Sequence, residues 1–127
     1  MEQSKYRDNG SLKISEEVIS KIAGLTTNEI KGVAGLSLRP NITDAKFRGI
    51  LAKNSIGRAI RLEMREGEAV IDVFVNLYLG AKIPEVASEI QSKVKDAIQN
   101  MTGITVSKVN VHVSGVIISQ QEDERIN

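Results

Sequence analysis

The stretch from residue 83 to residue 103, followed without a break by residues 104–115, constrains this fold more than any other part of the chain. Pro84 stands where a first helical turn tolerates a missing N–H, and Gly103 stands where a left-handed residue commonly ends a helix. Between them Val86, Ile90, Val94, Ile98 and Met101 recur at three- and four-residue spacing, with Ala87 and Ala97 alongside. That spacing predicts a helix over 84–101 with one apolar stripe turned to a core. Glu89 and Lys93 fall one turn apart on its outer side. The next segment alternates, with Val109, Val111 and Val113 on one face and Asn110, His112 and Ser114 on the other. It predicts a strand over 104–114. Ile104 and Val106 are out of phase with Val109, so a bulge or bend is expected near Ser107–Lys108.

Upstream of this helix lies a second alternating run, 69–79. Its odd positions (Ala69, Ile71, Val73, Val75, Leu77, Leu79) are all apolar and are expected to face the core. A strand, a helix and a strand in this order predict a parallel β-α-β crossover. Residues 59–65 also alternate: Ile60, Leu62 and Met64 face one side and Arg61, Glu63 and Arg65 the other. Glu66-Gly67-Glu68 joins this run to 69–79 as an antiparallel hairpin. Nearer the start, Ser15 precedes Glu16 and Glu17 as an N-cap precedes a first turn. Val18, Ile19, Ile22, Ala23, Thr26 and Ile30 then follow at helical spacing, predicting a helix over 15–31 that ends at Gly32. Residues 33–38 read as a short strand. The fold class expected is α+β: a two-layer domain with two helices packed on one face of a mixed β-sheet. It should occupy 12–118, between a flexible N-terminus (1–11) and a charged C-terminal tail (119–127).

A chain of 127 residues fits one such domain and can bury a core without staples. Aromatic residues are 3% of it, so the core must be aliphatic, and a base-stacking platform for nucleic acid is poorly provided for. Formal net charge is +1, which gives no global field to recruit nucleic acid or anionic lipid. The absence of cysteine removes thiolate catalysis and cysteine metal sites. No apolar run reads as a leader or a membrane span, so the cytoplasm is the expected location.

The residues that could carry chemistry are few. His112 is the only histidine, and the sheet expected here makes it a neighbour of Asp72 on the polar face. Such a pair could serve as an acid or base, but no nucleophile is placed beside it, and a solvated or hydrogen-bonded structural histidine is the expectation. One histidine and no cysteine do not make a zinc site. No catalytic residue, metal ligand or cofactor is therefore assigned. Gly32-Val-Ala-Gly35 matches the GxxG of KH-type RNA-binding loops, yet it falls between a helix and a strand and its middle residues are apolar. Residues 39–61 hold Arg39, Lys46, Arg48, Lys53, Arg58 and Arg61 against Asp44 alone, a local net +5. Val70, Phe74 and Tyr78 share the outward phase of the long strand and form a candidate apolar patch. The candidate partner surface is therefore Lys46, Arg48, Lys53, Arg58, Arg61, Phe74 and Tyr78. The alternative is a small nucleic-acid-binding domain using 39–61 and the Gly32–Gly35 turn, with the low net charge making nucleic acid the weaker choice.

Several stretches together resemble the alkaline shock protein family of Gram-positive bacteria, also called the envelope stress response family. They are ISEEVISKIAG at 14–24, EIKGVAG at 29–35, VNLYLGAKIPEVA at 75–87, NMTG at 100–103 and VNVHVSG at 109–115. Their order and spacing cover about residues 12–117. The resemblance implies a small cytosolic α/β protein without catalytic residues, linked to envelope homeostasis and alkaline stress. It further implies protein partners, in some members a separate membrane-anchored protein that holds them at the inner face of the membrane. In others it implies a connection with fatty-acid or lipid metabolism. A homo-oligomer is compatible with it. The long basic segment at 39–57 departs from the pattern, since many members look shorter or glycine-rich there.

Overall fold

The computed structural model describes residues 10–39 and 56–118. Helix α1 (Glu16–Asn28), strand β1 (Val33–Leu36), a single helical turn α2 (Ile56–Ala59), strands β2 (Ile60–Arg65) and β3 (Glu68–Tyr78), helix α3 (Ile83–Thr102) and strand β4 (Val106–Ile117) follow in that order. The charged tail at 119–127 and nearly all of the irregular segment expected at 39–57 lie outside the described residues, as do residues 1–9.

β3 organises the sheet. β2 runs antiparallel along its first half, from Arg65↔Glu68 to Ile60↔Val73, and β1 runs antiparallel along its second half, from Leu36↔Val75 to Val33↔Leu77. A strand has two edges, so β1 and β2 share one of them. β4 runs parallel along the whole of the other, from Ala69↔Val106 to Tyr78↔Ile117. The sheet is mixed, and α3 is the crossover between its parallel pair, as the alternation and the helical stripe require. Glu66 and Gly67 form the two-residue hairpin loop between β2 and β3, both at positive φ (53° and 83°), the geometry that matches strand twist.

α1 and α3 cover one face. Ala69, Ile71, Val73, Val75 and Leu77 of β3 meet them, each 1% exposed or less. Val86, Ile90, Val94 and Ile98 of α3 meet the sheet. A fully buried valine, leucine or isoleucine among them stabilises the fold by roughly 1.5–3 kcal/mol relative to exposure. α3 begins with Pro84 in its first turn and ends at Gly103 (φ 78°), whose N–H donates to the Gln99 carbonyl at 2.9 Å. Met101 and Leu79 do not join this core. They are 72% and 58% exposed, because one lies in the last turn of α3 and the other just past the last paired residue of β3.

α1 starts at the expected Ser15, whose hydroxyl accepts from the Val18 N–H at 3.2 Å. Its buried arc differs from the sequence reading. Ile19, Ala23, Gly24 and Thr27 are buried, while Val18 is 47% exposed. The one-turn α2 accounts for the rotation: Ile56 rests so closely on Gly24 that a Cβ there would sit 2.5 Å from Ile56 Cγ2. α2 lies at the end of a segment that reads as loop, so its cover on α1 has no signature in the helix itself.

Candidate interaction surface

The face away from the helices carries the side chains that the hydrophobic core does not use. Four of them come together through register. Asp72 lies opposite Asn110, and Phe74 lies opposite His112. Two residues along a strand return to the same face, so Asp72 and Phe74 stand side by side, as do Asn110 and His112. The His112 imidazole lies flat on the Phe74 ring, with centroids 4.2 Å apart and an interplanar angle of 10°. From there its Nε2 reaches Asp72 Oδ1 at 2.9 Å. The same oxygen accepts from Asn110 Nδ2 at 3.1 Å. An ionised carboxylate only accepts, so its hydrogen bond puts the imidazole proton on Nε2. Arg61 of β2 lies opposite Asp72 on the other side of β3. Farther along, Ser37 Oγ donates to Ser114 Oγ at 2.8 Å.

These contacts hold the imidazole in place. Its ring is stacked, one nitrogen is bonded to Asp72, and the nearest serine on its own strand, Ser114, is engaged by Ser37. No described hydroxyl hydrogen-bonds to His112, so the geometry that general-base activation of a nucleophile requires is not formed. Among the described residues, no three acidic or histidine side chains converge to hold a metal ion.

The bulge expected near Ser107–Lys108 is present: the register skips Ser107 between Val106 and Lys108. A second one, which alternation did not reveal, skips Ser114 between Val113 and Gly115. It restores the phase of β4, so that Val116 lies opposite the core-facing Leu77.

The members of the candidate partner surface separate. Lys46, Arg48 and Lys53 lie outside the described residues. Arg61 is exposed and Tyr78 half-buried on the outer face. Arg58 is not at the surface: it is 6% exposed, because α2 turns it into a small recess beside Asn28, Leu36 and Ser37. Phe74 points outward as its phase predicts but is 9% exposed beneath His112, and Val70 is 9% exposed as well, so the three-residue apolar patch is not open. The pairing of Asp72 with His112 was legible from their shared face, whereas the Phe74 stack and the Asn110 contact needed the register across the parallel pair. The Gly32–Gly35 motif is not a loop between two helices. Gly32 (φ 100°) turns the chain after α1, and Gly35 is paired with Asn76 inside β1.

A model of the alkaline shock protein 23 family, a family described by its cell envelope-related function, matches residues 4–118. The chain belongs to this family. The family resemblance read from the sequence is thereby shown. YloU of Bacillus subtilis strain 168 is 34% identical over 92% of this chain and 94% of its own length. Spy1535 of Streptococcus pyogenes serotype M6 is 33% identical over 85% of this chain and 80% of its own. A stress response regulator gls24 homolog of Streptococcus pyogenes is 24% identical over 93% of this chain, which spans 65% of that protein. A MamM-CTD variant superposes with a TM-score of 0.48 at 14% identity, over 81% of this chain and 95% of that one; at that score it carries no inference. Among the described residues no helix is long and apolar enough to cross a membrane.

Proposed function

We propose that this member of the alkaline shock protein 23 family works without catalysis, as a protein-binding scaffold or regulator in envelope stress physiology. The observation that carries the reading is the outer sheet face. No described helix covers it, and its central side chains are fixed in advance by the Phe74 stack and the shared Asp72 oxygen. A preorganised aromatic and polar surface binds protein with little ordering cost. Arg61 and Tyr78 flank the cluster and supply a cation and an amphipathic ring, two of the side-chain types most used at binding hot spots. The partner in this reading is a protein, in keeping with the cell envelope-related description of the family. A membrane-anchored partner would bring the chain to the inner face of the membrane with no span of its own. A link to lipid metabolism would run through such a partner.

The test is capture from crosslinked cells with Arg61→Glu and Tyr78→Ala, against Lys93→Ala on the exposed side of α3. The two outer-face variants should lose a protein that wild type and the α3 variant retain, at unchanged melting temperature. Retention of every captured protein by both outer-face variants would remove this face from consideration.

A further inference from the structure

We propose that two copies of the chain associate through the outer edge of β4, antiparallel and about a two-fold axis, so that their sheets join into one. β4 is 12 residues long, and among the described residues only β3 pairs with it. In a parallel ladder, alternate residues direct both backbone groups to the same neighbour. The Val109 carbonyl accepts from Gln91 Nε2 of α3 at 3.1 Å. Its parity therefore turns the N–H and C=O of Val109, Val111 and Val113 to the outer edge. Gln91 of α3 occupies the first of these carbonyls. No described element occupies those that follow.

The helix-side face of β4 opens over the same stretch. Val109 is 8% exposed, Val111 and Val113 are partly buried, and Val116 is 52% exposed. α3 covers the beginning of the strand and leaves its end bare. Leu79, bonded through its N–H to the Ile117 carbonyl, adds exposed aliphatic surface beside it. A bare backbone edge and a bare aliphatic face thus lie on one segment.

Charge selects the occupant. Exposed edges are ordinarily defended by lysine, proline or other charged residues. Lys108 guards the beginning of β4, but residues 109–118 contain no Lys, Arg, Asp, Glu or Pro. A second copy brings no like charges face to face, and a two-fold contact uses the same patch twice and closes. A charged peptide would find no counter-charge there. The inference goes beyond the outer-face reading and does not depend on it: edge pairing leaves Asp72, His112 and Arg61 open and places two such faces on one continuous sheet.

The full chain should sediment as a dimer that dissociates on dilution through the micromolar range. Val116→Glu changes a side chain already half exposed in the single copy. It should weaken the dimer at least about tenfold, since it sets an unpaired charge into the aliphatic face that the two copies join, while leaving the monomer's melting temperature unchanged. The protein lacks cysteine, so an introduced one is its only thiol. With the two-fold axis at Val113, whose backbone groups face the open edge, Val113→Cys should give disulfide-linked dimers on mild oxidation, and Leu25→Cys on the exposed side of α1 should not. Wild type that stays monomeric throughout overturns the proposal. So does a dimer that Val116→Glu leaves unchanged and whose β4 cysteine remains unlinked.

Discussion

Glu66 is the non-glycine residue held at positive φ among those described, at 53°. A side chain in that region is strained by its Cβ, and asparagine tolerates it better. Glu66→Asn should therefore stabilise the protein by about 0.5 kcal/mol, read from chemical denaturation. Gly32 has the opposite requirement. Its φ is 100°, and a Cβ there would stand 2.9 Å from Val86 Cγ2 on α3. Gly32→Ala should cost about 2 kcal/mol, through backbone strain and overpacking together. The neighbouring hairpin strand carries a pH signature. The Arg65 guanidinium, 3.0 Å from Glu63 Oε1, holds the Glu63 carboxyl below its ordinary value of 4.5, first by hydrogen bonding and then by charge. A depressed carboxylate pKa contributes stability that is complete above the ordinary value and is lost as pH falls through the folded one. The difference in melting temperature between wild type and Glu63→Gln should thus be small and positive at neutral pH. It should vanish in acid, and also in high salt, because both groups are exposed.

At the scale of elements, α3 and β3 carry the core between them. Ile90 is fully buried where α3 crosses the sheet, so Ile90→Ala should destabilise the domain by about 2–5 kcal/mol. Ile90→Asp should abolish folding, as judged by circular dichroism, since its charge would have no partner. Both elements were plain in the sequence, and for the same reason. Pro84, Gly103 and the stripe between them, and the unbroken odd face of 69–77, are local patterns that the tertiary structure has no cause to override. The parallel pairing followed from their order. What the sequence did not reveal lies wherever one element's surroundings are set by a distant one. The burial of Gly24 depends on Ile56, far along the chain, and the stacking of Phe74 depends on which residue of β4 it meets. Arg58 illustrates the limit of charge counting: a basic residue within a basic run reads as surface, and a single helical turn buries it. The outer-face cluster was legible as a set of residues on one side of a sheet, not as a set of contacts.

For the whole molecule, the even balance of charge leaves docking to particular surfaces. Reversing Lys46, Arg48 and Lys53 to Glu removes six units of charge and takes the net from +1 to −5. If the outer sheet face is the docking surface, this triple variant should keep both its melting temperature and its captured partner. Loss of the partner at unchanged stability would transfer the role to the basic segment. The position of β3 has a further consequence, for the order in which the protein is made. One edge of this strand is filled by β1 and β2, which leave the ribosome before it, and the other by β4, which leaves after α3. While α3 is being synthesised, the most apolar strand of the protein has one flank closed and one flank open. Its closure waits on a contact across the whole crossover, the kind of distant pairing that forms slowly. During that interval the nascent chain presents its stickiest edge to its neighbours on the polysome, and its safe arrival depends on how soon the last strand emerges.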